Sequence, residues 1–414
     1  MATRGLVVGA TVVMLSATAI VGAGIHMKGQ AFFQDSPKVL VDEVWQIIDK
    51  SYVDGTFNQV DWQATREDYL ERSYEGDEQA YEAIREMLGK LEDPYTRFMD
   101  PDEFRSMQID TSGELTGVGI QLSQEEETNK LVVVSPIEDT PAFTAGIQSQ
   151  DEIVAIDGQS TAGMDIDSAV NLIRGPIGTS VKLTVNRNGQ ELEFEVVRAR
   201  IEIHPVRYSI HNDLPGQVGY IRLTQFSAIA AEEMREAIKS LEADGVAGYV
   251  LDLRANPGGL LHASVEIARM LIDDGTIVST VNRQGISDVE RANGQALTDK
   301  PMMVLVDGGS ASASEILSGA LQDHERALLV GTQTFGKGLV QSVRGVGQGS
   351  GLAVTIAKYY TPDHRDINKE GIPPDFVVEL NEEQRDFLRA NRTAIGTMDD
   401  PQYARAIEVL KEKI

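Results

Sequence analysis

The sequence predicts a multidomain α/β protein with an N-terminal helical segment, a β-rich middle domain and an α/β core. Apolar residues recur at three-and-four spacing between positions 36 and 105, which is typical of helices. From 113 to 197 the apolar residues alternate with period two, as in half-buried strands. After position 200, continuous apolar runs bounded by turn residues alternate with helical patterns, which indicates a buried sheet with helices on both faces.

Composition narrows the classes of function. The 414 residues contain 37 Lys+Arg and 64 Asp+Glu, a formal net charge of −27, and this charge disfavours nucleic acid as a partner. Hydrophobic residues make up 42% of the chain, so we expect folded domains. The absence of cysteine excludes disulfides, a thiolate nucleophile and cysteine-ligated metal sites.

The extreme N-terminus predicts an export signal or a membrane anchor in residues 1–31. Arg4 is followed by an uncharged run of 21 residues, positions 5–25. That run exceeds the ~7–15 residues of a signal-peptide core and matches the ~20 that span a bilayer. The small-x-small sequence Gly29-Gln30-Ala31 keeps cleavage open as the alternative. Either interpretation places the remaining chain outside the cytoplasm, in soluble or membrane-tethered form.

The helical segment is predicted to occupy residues 36–110. Its two clearest amphipathic stretches surround Trp45 and Ile84. The sequence from Leu91 to Pro101 breaks the pattern, because each of its two prolines disfavours helix at the preceding residue. We interpret this stretch as a linker, with a plain turn and a binding role equally open.

The β-rich domain is predicted to occupy residues 113–197. It contains one helix near 168–173 and a hairpin whose turn, Asn188-Gly189, is typical of type I′. Two motifs resemble those of a PDZ domain: the loop Gly117-Val118-Gly119-Ile120, and the run from Ala145 to Gly158. Such a glycine-rich loop directs backbone N–H groups at the terminal carboxylate of a peptide, which adds a strand to the sheet edge.

The α/β core is predicted to occupy residues 200–380, with buried strands at 248–253 and 302–306. The tail, 381–414, is expected to be helical and charged, and to lie on the surface or at a dimer contact. The sequence leaves monomer and dimer open.

A serine lies where the second buried strand leads into a helix. Ser312 would stand at the helix N-terminus, and Ser312-x-x-Glu315 also fits a capping box, the structural alternative for this serine. The six histidines are scattered, and none has an evident aspartate partner in a strand-end context. We therefore disfavour a Ser-His-Asp triad.

Lys337 is the candidate base for that serine. Glycines flank it, and the nearby Phe335, Leu339 and Val340 can exclude water from its amine. Burial favours the neutral form and would have to lower the pKa from ~10.4 towards ~7–8 for the lysine to act near neutral pH. The alternative is an exposed, solubilising charge.

Glycines follow the first buried strand, in Leu251-Asp252-Leu253-Arg254-Ala255-Asn256-Pro257-Gly258-Gly259. The N–H of Gly258, with that of Ala313, would form a two-donor oxyanion hole. A purely structural strand-to-helix turn is equally compatible with the sequence.

Together these motifs resemble the C-terminal processing peptidases, also called tail-specific proteases. The resemblance covers about 41–380 and implies that Ser312 is the nucleophile and Lys337, 25 positions later, the general base. It also implies that Gln341 orients the lysine. On a strand, 337, 339 and 341 would share one face.

The resemblance further implies a serine endopeptidase that binds protein substrates by their C-terminal tails and needs no metal or organic cofactor. The run Leu-x-Asp-Pro-Tyr-Thr-Arg-Phe is most similar to cyanobacterial and chloroplast members, which trim the D1 precursor of photosystem II in the thylakoid lumen. The loop Gly-Val-Gly-Ile departs from the familiar Gly-Leu-Gly-Phe of PDZ domains. Two other classes remain alternatives: a non-catalytic PDZ scaffold and a PDZ protease with a histidine triad.

Overall fold

The computed structural model describes residues 36–112, 114–125, 128–137, 140–214, 216–285, 287–347 and 349–414. The predicted export signal or anchor, 1–31, lies outside these residues. Within them, no helix combines the length and apolar character needed to cross a membrane.

The N-terminal region is helical, as predicted. Its helices are α1 (Pro37–Ser51), α2 (Trp62–Glu71), α3 (Asp77–Gly89) and α4 (Pro101–Ser112). Proline at the first position starts α1, and the Asp61 carboxylate caps α2 by accepting the N–H of Ala64. Their apolar faces form one cluster around Ile48, Tyr69 and Ile84, each 0% exposed. This cluster extends to the strand that carries Leu352.

The predicted linker is in part a strand, so that interpretation was wrong. Strand β1 (Arg97–Met99) pairs antiparallel with β18 (Ser350–Tyr360), and Arg97 is opposite Ala353. Phe98 and Met99 are almost fully buried. The proline-rich stretch therefore ties the helical region to the core instead of connecting two independent parts.

The β-rich domain contains two paired connecting strands and one larger sheet. Its strands are β2 (Glu114–Gly117), β3 (Ile120–Gln124), β4 (Leu131–Pro136), β5 (Glu152–Ile156), β6 (Gln159–Ser160), β7 (Ser180–Arg187), β8 (Gln190–Val197) and β9 (Ala199–Glu202). The sheet order is β3-β4-β5-β7-β8, with β6 on β5, and the helices are α5 (Pro141–Ala145) and α6 (Ile166–Ile173). Asn188 and Gly189 both have positive φ, which confirms the type I′ hairpin.

The connections to this domain lie side by side. Strand β2, which enters it, pairs antiparallel with β9, which leaves it. The domain is therefore an insertion attached through one two-stranded ribbon.

The core is a six-stranded sheet in the order β10-β11-β12-β15-β16-β19. Its strands are β10 (Val206–His211), β11 (Val218–Leu223), β12 (Gly248–Asp252), β15 (Met302–Val306), β16 (Leu328–Gly331) and β19 (Phe376–Val377). Every residue of β12 and β15 is buried, as predicted, and only the edge strand β10 is antiparallel to its neighbour. One face packs on α7 (Ala230–Ala243), α8 (Leu261–Arg269) and α9 (Ala313–Asp323).

A second sheet lies beside the first and carries the lysine segment. It consists of β13 (Thr276–Asn282), β14 (Ser287–Arg291), β17 (Leu339–Val346), β18 and β1. Strand β18 is central, with β1, β13 and β17 as neighbours. It therefore holds the helical region and the lysine segment together.

The C-terminal tail consists of α10 (Glu382–Ala390) and α11 (Pro401–Lys411). Helix α10 is mostly exposed, as predicted for a surface element. Helix α11 is different, because Tyr403, Ala406 and Leu410 are fully buried on the second face of the core sheet. The prediction of a surface or dimer element was wrong for α11, whose apolar stripe completes the core.

Candidate active site

Three alternating serines surround the start of α9, and they differ in burial. Ser310 and Ser314 are 0% exposed. The hydroxyl of Ser310 donates to Leu253 O (2.8 Å) and that of Ser314 to Asn256 O (2.9 Å). Ser312 is only half-buried and lines a cavity. Its two neighbours fasten the segment, and Ser312 faces the space where a substrate would bind.

The backbone of Ser312 is strained. Its φ is 56° and its ψ is −113°, outside the regions that L-residues normally occupy. Such strain costs on the order of 1–3 kcal/mol and is concentrated at functional sites. The predicted capping box is also present, because the Ser312 N–H donates to Glu315 Oε2 at 2.9 Å.

The predicted glycine turn packs directly against this serine. Gly258 has φ +100°, and a Cβ at that position would lie 2.9 Å from both Ser312 Cβ and Ala313 N. Only glycine therefore allows the turn to approach the serine segment so closely. Asn256, which is fully buried, joins the two segments because its carbonyl oxygen accepts the N–H of Ala311 at 3.0 Å.

The two predicted oxyanion donors differ in their present partners. The N–H of Ala313, at the first position of α9, finds no acceptor within the residues that the structure describes. The N–H of Gly258 already donates to Asn256 Oδ1 at 2.9 Å. An oxyanion would have to replace that side chain before Gly258 could serve it. The next glycine, Gly259, lines the cavity.

A buried ion network holds the strand end before this turn. Arg254 donates to both carboxylate oxygens of Asp252 (2.9 and 2.6 Å) and of Asp400 (3.1 and 2.7 Å). Both carboxylates are 0% exposed. Burial alone would lower the pKa of Arg254, but the two carboxylates hold it well above its usual value. No local pattern indicated Asp400, since this contact joins residues 146 positions apart.

Glu315 connects the serine helix to the lysine loop, a role that the sequence left open behind that of a helix cap. It is 0% exposed. Its Oε1 accepts the Thr334 hydroxyl (2.6 Å) and the N–H of Gly336 (2.7 Å), and its Oε2 accepts the N–H groups of Lys337 (2.9 Å) and Ser312 (2.9 Å). One carboxylate therefore fixes the backbone of the candidate nucleophile relative to that of the candidate base. The capping-box pattern was the available signal, but it indicated only the contact with Ser312.

Lys337 lies in the loop before β17, and its side chain faces the same cavity as Ser312. Burial, and next the positive charge of Arg97, lower its pKa, while Asp93 and Glu315 oppose this change. Lys337 is half-buried, as are Leu339 and Val340, but Phe335, which was also predicted to exclude water, is 56% exposed, so that part of the prediction was wrong. The Lys337 Nζ lies 4.7 Å from the centroid of the Tyr95 ring, and within the described residues no hydrogen bond joins it to Ser312 Oγ.

Tyr359 contacts the backbone of both Ser312 and Lys337. Its buried hydroxyl donates to Lys337 O and lies 3.1 Å from Ser312 O. Burial raises the pKa of this phenol well above its usual value, so it remains a donor. The carbonyl groups of the two candidate residues are therefore held by one side chain.

Gln341 lines the cavity, but it and Lys337 are not alternate residues of one regular strand. Lys337 precedes β17, and a bulge interrupts the pairing of β17 with β18 between Val340 and Gln341. The prediction that 337, 339 and 341 share one strand face was therefore wrong in its geometry. The Gln341 side chain reaches Thr355 Oγ1 at 3.5 Å.

The cavity between these elements has a volume of about 480 Å³. Ser312, Ala313, Lys337 and Gln341 all line it. Its lining also includes Pro94, Tyr95 and Arg97 from the predicted linker. The linker therefore contributes to the site, which its proline pattern alone did not reveal.

The predicted peptide-binding loop lines a second, smaller cavity of about 110 Å³. Gly117, Val118, Gly119 and Ile120 face helix α6 across it. A Cβ on Gly119 would lie 2.3 Å from the Thr140 side chain, and its φ is +82°. This glycine therefore allows the loop to pack against the start of α5.

A second serine has the hydrogen-bonded histidine that Ser312 lacks. Ser209 Oγ lies 2.8 Å from His211 Nε2, and Asp213 Oδ2 lies 3.6 Å from His211 Nδ1. The Tyr403 hydroxyl bridges His211 Nδ1 (2.8 Å) and Asp213 Oδ2 (2.9 Å). The expectation that no histidine has an aspartate partner in a strand-end context was therefore wrong for His211, the last residue of β10. Ser209, however, is exposed in the edge strand β10.

Comparisons with known proteins agree with this architecture. The model of peptidase family S41 matches residues 217–378, and a PDZ domain model matches 116–197. A carboxyl-terminal-processing protease from Synechocystis is 47% identical over 91% of this chain and 87% of its own length. The C-terminal processing peptidase of Tetradesmus obliquus chloroplasts is 38% identical over 83% and 78%. A solved photosystem II D1 C-terminal processing protease is 36% identical, with a TM-score of 0.58 over 89% of this chain and 99% of that one.

Proposed function

Because the chain belongs to the carboxyl-terminal-processing proteases of peptidase family S41, we propose that Ser312 is its nucleophile and Lys337 its general base. The enzyme is a serine-type protease with a PDZ domain. The observation that carries the residue assignment is the strained Ser312 facing a partly desolvated lysine across one cavity. Within the proposal, the domains are 36–110, 113–197 and 200–380, followed by the tail 381–414.

The proposed chemistry begins with proton transfer. The neutral amine of Lys337 takes the hydroxyl proton of Ser312 as the serine oxygen forms a bond to the scissile carbonyl carbon. The Ala313 N–H, at the start of α9, donates to the developing oxyanion, and Gly258 joins it by exchanging Asn256 Oδ1 for that oxygen.

Collapse of the tetrahedral intermediate breaks the C–N bond, and the ammonium of Lys337 returns its proton to the leaving amine. Water then hydrolyses the acyl-enzyme, with the same lysine as base. Gln341 is proposed to orient the lysine, supported through Thr355. We propose that the 4.7 Å contact with Tyr95 is a resting position, which the lysine leaves when substrate binds.

The substrates are proposed to be protein C-termini bound through the loop Gly117-Val118-Gly119-Ile120. The terminal carboxylate would accept backbone N–H groups of this loop, and the tail would lie along the sheet edge. Holding the tail there raises its effective concentration at the catalytic cavity.

The physiological substrate and location are proposed from the relatives. One similar structure is a D1 processing protease, and similar sequences come from cyanobacteria and chloroplasts. We therefore propose the D1 precursor as substrate and the thylakoid lumen or periplasm as the compartment. Residues 5–25 would export the enzyme or tether it to a membrane.

Mass spectrometry of a synthetic D1-precursor tail tests the proposal directly. We expect wild type to release the C-terminal extension, and Ser312→Ala and Lys337→Ala to leave it intact. The same tail with a C-terminal amide, which removes the carboxylate charge, should be cleaved more slowly through a higher KM.

Three different results would each contradict one part of the proposed function. Tail binding without cleavage by folded wild type would favour the PDZ scaffold. Full activity of Lys337→Ala combined with loss in His211→Ala would favour the histidine-triad protease. Equal cleavage of free and amidated tails would remove only the role of the PDZ loop.

A further inference from the structure

We propose that the segment Asp93–Arg97 is a positioning element of the catalytic centre: the Tyr95 ring holds the charged form of Lys337, and the Arg97 guanidinium disfavours that form. The inference rests on the proposed role of Lys337 as general base. It assigns a function to the N-terminal helical region, whose last connection reaches the cavity from more than 200 positions away in the sequence.

The segment is rigid enough to position a side chain. The Asp93 carboxylate accepts the N–H of Tyr95 (2.9 Å) and the hydroxyl of Thr96 (2.7 Å). Thr96 is buried, and its Oγ1 accepts the N–H of Thr355 at 3.0 Å. Pairing of Arg97 with Ala353 continues the attachment to β18. The loop is therefore fastened on both sides of Tyr95.

Tyr95 presents its ring to the lysine. The distance of 4.7 Å between Lys337 Nζ and the ring centroid is within the range of a cation–π contact. The attraction acts on an ammonium and is lost when the amine is neutral. The ring therefore favours a resting, protonated lysine, which must lose its proton before it can act as a base.

Arg97 acts in the opposite direction. Its exposed side chain lines the catalytic cavity, and within the described residues no carboxylate lies at ion-pair distance from it. After burial, its charge is the next cause of the lowered pKa of Lys337. Opposing charges come from Asp93 on the same loop and Glu315 on α9, whereas the buried Tyr359 hydroxyl stays neutral.

The balance between ring and guanidinium can be measured in the pH dependence of kcat/KM for a short peptide. Arg97→Gln removes a positive charge that disfavours the ammonium, so the pKa of Lys337 should rise. Activity should then fall about threefold on the acid side, whereas the alkaline plateau should be unchanged. High salt should shrink this difference, since Arg97 is exposed. Arg97→Lys should restore the wild-type profile.

Tyr95→Leu should have the opposite effect. Leucine keeps an apolar side chain beside the amine but removes the aromatic face, so relative activity on the acid side should rise about threefold when each profile is normalised to its plateau. Tyr95→Phe, which keeps a ring, should follow wild type. Arg389→Gln on the exposed α10 loses the same charge far from the cavity and is the matched control.

Circular dichroism and thermal unfolding would establish that every variant is folded. Profiles of Arg97→Gln and Tyr95→Leu that coincide with wild type after normalisation, or that move in the same direction, would overturn this inference. Activity that survives in Lys337→Ala would instead overturn the proposed base, so the two failures are distinguishable.

Discussion

Ser209 and Ser312 differ in their hydrogen bonds, backbone strain and burial, which are the properties that matter for a candidate nucleophile. Ser209 is at hydrogen-bond distance from His211. The Tyr403 hydroxyl lies within hydrogen-bond distance of both His211 and Asp213. Ser312 has no hydrogen bond to Lys337 in the described residues, but it is strained, half-buried and next to a helix N-terminus. The proposed nucleophile is therefore the serine with the cavity and the strained backbone, and not the one with triad distances.

The physical reason is the environment of the charge that develops in the reaction. An alkoxide at Ser312 would form inside a cavity that excludes part of the water, beside the N–H of Ala313, which has no acceptor among the described residues. An alkoxide at Ser209 would form on the exposed face of an edge strand, where water already solvates it. On the proposed assignment, we expect only the first environment to stabilise the transition state more than bulk water does.

The largest expected effect separates the two serines. Ser312→Ala removes the nucleophile and should lower kcat by about 10⁴-fold or more, whereas Ser209→Ala should keep wild-type kcat. Single-turnover cleavage of a tail peptide by the two purified variants measures both. A loss of activity in Ser209→Ala without a change in folding would reverse the comparison.

The second largest effect is expected from removal of the proposed base, Lys337. Lys337→Ala should lower kcat by about 10²–10⁴-fold, the range for a general base. In wild type, activity should rise with pH through the lowered pKa of Lys337, because only the neutral amine accepts a proton and acidification restores the ammonium. A flat profile between mildly acidic and mildly alkaline pH would contradict the lysine and favour a different base.

Glu315→Gln tests whether the backbone contacts that join Ser312 to Lys337 matter for activity. Its amide NH₂ would face N–H groups that now donate to a carboxylate, and such a mismatch costs about 1–3 kcal/mol. We expect kcat to fall about 10–100-fold, with a lower Tm. Glu383→Gln, in the exposed first turn of α10, is the matched control and should change neither quantity.

The smallest expected effect concerns His211. Its ring packs against Tyr220 and Tyr403, with centroids 5.4 Å away in each case, so it supports α11. His211→Ala should leave kcat unchanged and lower the free energy of unfolding by about 1–2 kcal/mol. Denaturant unfolding and peptide cleavage on the same preparation would separate the structural role from a catalytic one.

Local patterns predicted most of the fold. Strand β15 and the Asn188-Gly189 hairpin follow from apolar runs and turn chemistry that act over a few residues. The pairing of β1 with β18 could not be predicted from local patterns, since it joins segments more than 250 positions apart. The burial of α11 was also missed, because its apolar stripe is interrupted by charged residues that lie on its outer side.

The candidate site divides in the same way. Ser312 and Lys337 were found from motifs, because their flanking glycines and helix start leave local traces. Tyr95 was assigned to a linker, since its contact with the lysine exists only after the sheet has formed. The partner of the Gly258 N–H was equally invisible, because it depends on the rotamer of Asn256.

The Arg254–Asp400 ion pair has a consequence for how the enzyme is made. A ribosome that has just added Arg254 must add 146 more residues before Asp400 exists. The serine and the lysine are synthesised earlier than this carboxylate, yet the glycine turn that approaches the serine is anchored by it. In a nascent chain, the ion network behind the glycine turn therefore forms only after the C-terminal tail has been synthesised.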